Sequence, residues 1–247
     1  MPLFFGTTLH EYARLPSTNA HALELLAKSK PNDGTVIVAH TQTAGRGQIG
    51  SSWQAAPTQN LTFSLILYPN FVAATAQFSL NQAISLGVYD FMAAHTSGVA
   101  IKWSNDILVR GKKIAGILIE NALLGTTLQH SVVGIGININ QTDFVDLPNA
   151  TSLTNCTQKT YDLRALLPIL LGCIEARYLQ LRAGQTAILQ THYLGALYQY
   201  GEEACYERTA TGEVLWGKII GIAPDGRLEL LHTHGLETFG IKEIRFV

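Results

Sequence analysis

Hydrophobic and polar residues follow two different periods along the first half of this chain. Within residues 61–68 every second position is Leu or Phe, the alternation that is typical of a strand. Within residues 77–95 apolar residues recur three to four positions apart, as on the buried face of an amphipathic helix. Shorter apolar runs predict further strands over residues 9–15, 35–39 and 99–103.

Turn and cap residues divide these segments. The run Pro-Ser-Thr-Asn (16–19) predicts the start of a helix that extends to about Ser29, with Ser17 or Thr18 as its N-cap. Farther along the chain, glycine turns at positions 111 and 125 separate three strand-like runs. The pattern therefore predicts an antiparallel meander over residues 106–109, 112–121 and 127–137.

The second half of the chain changes character twice. A helical pattern covers residues 162–182, where Pro168 predicts a kink or a late start, and a second helix is expected over residues 185–197. Residues 203–247 then hold short strand-like runs separated by glycine turns, which predict a small antiparallel barrel or sandwich. Because so small a unit is marginally stable alone, we expect it to dock on the larger one.

Composition excludes several classes of protein. The chain has 247 residues, of which 47% are hydrophobic and only 14% are charged, with a formal net charge of −1. It lacks the basic surface of a nucleic-acid-binding protein, the long apolar run of a membrane span and the leader of a secreted protein. Its three cysteines and eight histidines show no spacing typical of disulfides or metal ligands. We therefore predict a cytoplasmic protein without a metal site.

An isolated arginine marks the first candidate site. Between Gly34 and Tyr89 the sequence holds one charged residue, Arg46. It lies in the glycine-rich run Thr-Ala-Gly-Arg-Gly-Gln-Ile-Gly (43–50), and Trp53 follows. A guanidinium group suits a carboxylate or a phosphate, and glycines let backbone amides approach such a ligand closely. A mobile surface turn is the alternative, but its usual composition is more charged and lacks tryptophan, so a ligand-binding loop is favoured.

A second candidate site combines cations with small residues. The run Lys-Trp-Ser-Asn-Asp (102–106) precedes a hairpin that carries Lys112 and Lys113 just after its turn. Lysines at a hairpin tip can simply keep an edge strand soluble. That alternative does not explain the Asn-Asp pair beside tryptophan, or the Ala-Gly pair at 115–116. Small residues at that position would leave room for a ligand beside the strand.

Four motifs together resemble those of biotin protein ligases, in the same order and at similar intervals. They are Gly-Arg-Gly-Gln (45–48) with Trp53, Lys-Trp-Ser-Asn-Asp (102–106), Lys-Lys-Ile-Ala-Gly-Ile-Leu-Ile-Glu (112–120) and Gly-Ile-Gly-Ile-Asn (134–138). The resemblance implies an α/β (α+β) fold, in which a mixed β-sheet flanked by helices forms a class II synthetase-like catalytic domain over residues 1–200. It also implies a small C-terminal SH3-like β-barrel domain over residues 201–247.

The resemblance further implies a function. Such a ligase uses ATP and Mg²⁺ to convert biotin to biotinyl-5′-AMP, and it passes the biotinyl group to a lysine of the biotin carboxyl carrier domain of a carboxylase. The enzyme would be a monomer or a homodimer with no DNA, RNA or membrane partner. Two alternatives stay open: a lipoate or octanoate ligase or transferase of the same fold, and a non-catalytic biotin-binding protein. A repressor would need an N-terminal DNA-binding unit of about sixty residues, and the sequence opens almost directly on the first strand.

Residue roles follow from the same resemblance. Its catalytic residues would be Lys113, Arg46 and Asp106. Its biotin-binding residues would be Ser17, Thr18, Asn19, Gln42, Arg46, Gly47, Gln48, Lys113 and Gly116. Its ATP- and adenylate-binding residues would be Gly45, Arg46, Trp53, Lys102, Asn105 and Asn138.

The proposed chemistry requires two distant cations to meet. A carboxylate must approach a phosphate although both are anions, so Arg46 and Lys113 should converge where the two ligands react. Two positions depart from the family pattern, which often has Arg where this chain has Gln48 and Pro where it has Ser104. We expect the loss of a cation at Gln48 to weaken the hold on the adenylate.

Overall fold

A seven-stranded mixed sheet forms the centre of the larger unit. The computed structural model describes residues 2–48, 50–145 and 147–247, so Ile49 of the predicted ligand loop lies outside the described residues. The strands are β1 (Leu9–Tyr12), β2 (Thr35–Ala39), β3 (Leu61–Leu67), β4 (Val99–Lys102), β5 (Asp106–Val109), β6 (Lys112–Leu124) and β7 (Thr127–Ile137). Their order is β1-β2-β3-β7-β6-β5-β4, with β1 and β2 parallel and the other neighbours antiparallel.

Helices lie on both faces of this sheet. They are α1 (Thr18–Lys28), α2 (Phe78–Ala93), α3 (Leu153–Thr157), α4 (Leu163–Arg182) and α5 (Thr186–Ala196). The odd-numbered residues of β3 share one buried cluster with α2, α4 and α5. A smaller cluster joins α1 to the opposite face through Ala22, Ile37 and Val132. Strand alternation therefore assigns the two faces of the sheet to different helices.

Helix ends follow local chemistry. Ser17 is the N-cap of α1, and its side chain accepts a hydrogen bond from the backbone N–H of Ala20 at 3.4 Å. Asp162 caps α4 in the same way, so that helix begins at Leu163 and passes through Pro168 without the late start considered for it. The missing N–H of that proline removes one hydrogen bond close to the capped end.

A second, five-stranded antiparallel sheet follows the last helix. Its strands are β8 (Glu203–Arg208), β9 (Val214–Ile222), β10 (Leu228–His232), β11 (Gly235–Phe239) and β12 (Ile244–Phe246), in the order β11-β10-β9-β8-β12. The mixed sheet between helices and the separate antiparallel sheet confirm the predicted fold class. A domain boundary between residues 200 and 201 stays a prediction. No helix among the described residues is long and apolar enough to cross a membrane.

The two sheets contact each other through buried groups. The indole N–H of Trp103, just after β4, donates a hydrogen bond to the carbonyl of Gly226 at 3.1 Å. Tyr206 and Leu215 of the smaller sheet belong to the same hydrophobic cluster as β3 and α2. The smaller sheet therefore adds to the main core, as its size led us to expect.

A buried glutamate holds the start of the chain against α4. Glu175 is 3% exposed, and its carboxyl group accepts hydrogen bonds from the backbone N–H groups of Leu3, Phe4 and Phe5, the last two at 2.7 and 2.8 Å. Phe5 is itself buried beside this helix. One side chain thus satisfies three backbone donors, among which that of Phe5 is buried.

Glu175→Gln should destabilise the protein. The amide keeps the shape of the carboxyl group but replaces one acceptor with a donor, which would then face a backbone N–H. Because hydrogen bonds to charged groups contribute about 1.5–3 kcal/mol, we expect the free energy of unfolding in urea to fall by ~2 kcal/mol. The control is Glu24→Gln on the exposed side of α1, and an equal effect in both variants would contradict the prediction.

Candidate active site

Glycines on neighbouring strands leave a cavity on the α1 face of the central sheet. Thr62 and Ser64 of β3 point to this face, and their neighbours on β7 are Gly136 and Gly134. On the other side of β7, Gly116 of β6 pairs with Gly136. The cavity above these positions has a volume of about 240 Å³. A run of small residues on one face of a well-packed sheet therefore forms the floor of the candidate site.

Two large polar or aromatic side chains occupy the space above the glycines. A Cβ atom on Gly134 would lie 2.2 Å from Oδ1 of Asn19, and one on Gly136 would lie 2.2 Å from Cε2 of Trp53. Real Cβ atoms do not approach other atoms so closely. These glycines therefore allow Asn19 and Trp53 to lie directly on the sheet.

The loop around Arg46 folds back on itself. The backbone N–H of Trp53 donates to the carbonyl of Gly45 at 3.0 Å, and that of Gly47 donates to the carbonyl of Ser51 at 3.0 Å. A Cβ atom on Gly45 would lie 2.3 Å from the carbonyl oxygen of Trp53, so glycine is required for this close approach. The narrow turn brings Trp53 back over the sheet and places Arg46 at the cavity.

The two cations singled out in the sequence both line this cavity. Nη2 of Arg46 lies 2.8 Å from Oε1 of Glu120, and Nζ of Lys113 lies 2.7 Å from Oδ1 of Asp106. The Arg46 and Lys113 side chains are 47% and 40% exposed, and ion pairs so open to solvent contribute only about 0–1 kcal/mol. An incoming anion can therefore replace either carboxylate at small cost.

A hydrogen-bond network connects the floor of the cavity to the Arg46 ion pair. The backbone N–H of Thr18 donates to Oε1 of Gln42 at 2.7 Å, and Oγ of Ser64 lies 2.7 Å from the Thr18 hydroxyl and 2.6 Å from Oδ1 of Asn19. The Asn19 amide donates to Oε2 of Glu120 at 2.8 Å. Since Asn19 Oδ1 can only accept, the Ser64 hydroxyl donates to it, and the Thr18 hydroxyl donates to Oε1 of Gln42 at 3.1 Å.

The two departures from the family pattern contact each other. Nε2 of Gln48 donates to the hydroxyl of Ser104 at 3.1 Å. The amide of Asn105 donates to the carbonyl of Ile117, and the hydroxyl of Tyr193 donates to the carbonyl of Ser104 at 3.1 Å. Residues 104–105 are thus held from several sides, and the loop is tied to them through Gln48.

Most residues predicted from the sequence line the one cavity. They are Ser17, Thr18, Asn19, Gln42, Arg46, Gly47, Gln48, Trp53, Asn105, Asp106, Lys113 and Gly116. Three predicted residues do not line it: Gly45, Lys102 and Asn138.

Each of these three residues makes other contacts. Gly45 allows the loop to close against Trp53. Nζ of Lys102 lies 4.9 Å from the ring centre of Phe246 in β12, and burial lowers the pKa of this lysine. The side-chain amide of Asn138 donates to the carbonyl of Thr151 at 3.0 Å. Its buried Oδ1 has no hydrogen-bond partner among the described residues.

Sequence reasoning missed several residues in or beside this cavity, among them Ser64, Glu120 and Lys242. The period-two pattern offered a signal for the first two, because Ser64 interrupts the apolar run of β3 and Glu120 lies on the same face as Gly116. Lys242 lines the same cavity although it lies in the turn between β11 and β12. Nothing in the sequence near this lysine indicated the contact.

Gly136→Ala should displace Trp53 from the sheet. The new methyl group would lie within the indole ring, so we expect a change in tryptophan fluorescence and a loss of about 1–3 kcal/mol in unfolding free energy. Gly195→Ala, where a Cβ atom meets nothing within 4 Å, is the control. If Trp53 is first replaced by Phe, Gly136→Ala should leave the remaining fluorescence unchanged; a spectral shift in that background would refute the assignment.

Comparisons with known proteins agree with this geometry. The sequence model of the Biotin/lipoate A/B protein ligase family matches residues 11–138. The biotin–[acetyl-CoA-carboxylase] ligase of Paracoccus denitrificans is 32% identical over 243 residues, which are 95% of this chain and 98% of that protein. The bifunctional ligase/repressor BirA of Bacillus subtilis is 33% identical over 231 residues, 90% of this chain and 69% of the relative.

A solved structure shares the whole fold. The biotin protein ligase from Aquifex aeolicus in complex with biotin and ATP superimposes with a TM-score of 0.78 at 26% identity, and the match covers 98% of this chain and 100% of that one. Sequence, fold and site therefore agree, and the chain belongs to the biotin/lipoate A/B protein ligase family, within which it resembles the biotin protein ligases, as its motifs predicted.

Proposed function

We propose that this chain is a biotin–protein ligase, which uses ATP to adenylate biotin and then transfers the biotinyl group to a lysine of a carrier protein. The observation that carries the proposal is the convergence of Arg46 and Lys113 on one cavity that hydrogen-bonding side chains also line. Biotin needs both features, since it has a carboxylate at one end and a polar ureido ring at the other.

The cavity offers a place for each end of biotin. Thr18, Asn19 and Gln42 would receive the ureido ring, because their hydroxyl and amide groups can both donate and accept. Arg46 and Lys113 would hold the carboxylate, replacing their present partners Glu120 and Asp106. Ser17, Gly47, Gln48 and Gly116 line the same cavity and would also contact biotin.

The first step joins the two anionic substrates. A carboxylate oxygen of biotin forms a bond to the α-phosphorus of ATP, while the bond from that phosphorus to the bridging oxygen breaks and pyrophosphate departs. Two unit charges at 4 Å repel by about 4 kcal/mol near a protein surface. Arg46 and Lys113 would cancel this repulsion and stabilise the charge that grows on the phosphate oxygens.

The second step transfers the biotinyl group. The amine nitrogen of the carrier lysine bonds to the acyl carbon, the bond from that carbon to the phosphate oxygen breaks, AMP departs, and the nitrogen loses a proton. Asp106 lies beside Lys113 and could orient that amine or accept its proton. The carrier would be the biotin carboxyl carrier domain of a carboxylase, and the three free cysteines suit a cytoplasmic location.

Two orphaned polar atoms support a nucleotide site. The indole N–H of Trp53 and Oδ1 of Asn138 are buried, and neither has a hydrogen-bond partner among the described residues. Asn138 Oδ1 would accept from the exocyclic amine of adenine, and Trp53 would pack near that base. Asn105 and Lys102 would contribute to nucleotide binding nearby.

The residues present fit a magnesium ion that arrives with the nucleotide. Mg²⁺ is commonly held by one or two carboxylates together with substrate phosphates. Asp106 is the one carboxylate residue among the described residues that line the cavity. It would complete the coordination of an ion bound mainly by ATP, and that ion would supply positive charge toward the departing pyrophosphate.

The polar side chains of the cavity favour biotin over the alternative substrates. Octanoate ends in an apolar chain and lipoate in a dithiolane ring, so neither offers Thr18, Asn19 and Gln42 the donors and acceptors of a ureido ring. Biotin is therefore the favoured substrate. A non-catalytic biotin-binding protein is distinguished from an enzyme by assay.

Lys113→Ala should abolish biotin-dependent exchange of pyrophosphate into ATP, which reports the first step. The variant loses the cation that would neutralise the reacting carboxylate and phosphate, and we expect a loss of at least a hundredfold. Lys112→Ala is the matched control, because this neighbouring lysine is exposed and lies outside the cavity. Parental activity in Lys113→Ala, or equal losses in both variants, would refute the role of Lys113.

Gln48→Arg should reduce leakage of biotinyl-AMP into solution. The substitution restores a cation at the cavity and gives the adenylate phosphate another partner, so the released fraction should fall several-fold. Gln54→Arg adds the same charge at an exposed position nearby, outside the cavity. The measurement is the amount of free adenylate per turnover without carrier, and equal leakage from parent and Gln48→Arg would reject the expectation.

A further inference from the structure

Lys242 reaches the active-site cavity from the smaller sheet. It lies in the turn between β11 and β12, yet it lines the cavity together with Arg46 and Lys113. Its Nζ donates a hydrogen bond to the hydroxyl of Ser51 at 3.4 Å, and it lies 3.5 Å from the position of a Cβ atom on Gly50. This lysine therefore contacts the far side of the loop that carries Arg46.

The charge of Lys242 is not neutralised by a neighbouring carboxylate. Arg46 and Lys113 each form an ion pair, whereas Lys242 forms none within 4 Å among the described residues. The adjacent Glu243 is engaged elsewhere, because it pairs with Arg227 at 2.7 Å. Lys242 is therefore available to an incoming anion without displacement of a partner.

The backbone at Lys242 adopts a conformation that is uncommon for lysine. Its φ angle is 66°, in the left-handed region that glycine and asparagine adopt at lower cost than lysine. Residues held in such conformations are concentrated at ligand-binding and active sites. A lysine at this position gains nothing for the turn itself.

Lys242 also lies where two cavities meet. A second cavity of about 660 Å³ runs between the two sheets and shares Gln48, Ile117, Leu118 and Lys242 with the first. An anion too long for the first cavity would extend past this lysine. The loop itself offers Arg46 as its one charged side chain, so a further cation must come from elsewhere in the fold.

We propose that Lys242 binds the polyphosphate of ATP during adenylation and thereby fastens the Arg46 loop to the smaller sheet. The inference rests on the proposed function. Lys242 contacts the phosphates beyond the α-phosphate, where it stabilises the charge that passes to the departing pyrophosphate. Its bond to Ser51 holds the loop in place over the same ligand.

Lys242→Asn tests the proposal, because asparagine suits the left-handed backbone but carries no charge. Since charge-assisted bonds to phosphate contribute strongly, the KM for ATP in biotin-dependent pyrophosphate exchange should rise about tenfold. The KM for biotin should rise less, and Lys242→Arg should recover most of the loss in ATP binding. Lys218→Asn, on the same sheet but outside both cavities, is the matched control.

Three outcomes would overturn the inference. The first is an unchanged KM for ATP in Lys242→Asn while the parent is active. The second is equal effects of Ser51→Ala and Lys242→Asn, which would mean that Lys242 only holds the loop. The third is a lower melting temperature in Lys242→Asn that is large enough to explain its weaker binding of ATP. A parent without biotin-dependent exchange would instead contradict the proposed function, whatever Lys242 does.

Discussion

Steric room above one face of the central sheet is the constraint on which the site depends. Because successive residues of a strand point to opposite faces, Gly116, Gly134 and Gly136 remove side chains from one face only. Ile117 and Ile135, their neighbours along the strands, remain buried in the main core on the other face. One face of the sheet therefore has room for Asn19, Trp53 and the cavity, and the other face is packed against helices.

Two of the cations at the cavity are each paired with a carboxylate. Glu120 and Asp106 form ion pairs with Arg46 and Lys113, which hold both cations at the cavity. Binding then becomes an exchange of one carboxylate for another, rather than the capture of an anion by free charges. Such an exchange suits a cavity that must receive two anions in turn. Glu120 also accepts a hydrogen bond from the Asn19 amide, which connects the Arg46 ion pair to the polar side chains deeper in the cavity.

Local patterns predicted the elements well, since their causes are local. The strands Thr35–Ala39 and Asp106–Val109 have the bounds expected from their apolar runs, and the Ser17 cap marks the start of α1. The short helix Leu153–Thr157 was not predicted, because its five residues are too few to show a period. Contacts between distant parts of the chain could not be predicted from the sequence. The contact of Lys102 with the Phe246 ring and the position of Lys242 at the cavity both depend on how the two sheets pack together.

The contact between Gln48 and Ser104 makes two sequence positions dependent on each other. Each residue departs from the family pattern, and each supplies half of one hydrogen bond between the loop and the residue before Asn105. A replacement of Gln48 leaves the Ser104 hydroxyl with Oδ1 of Asn105, at 3.3 Å, as its partner, whereas a replacement of Ser104 removes the acceptor of the Gln48 amide. Because the two residues share this hydrogen bond, we expect the effects of substitutions at the two positions on the stability of the loop to be non-additive.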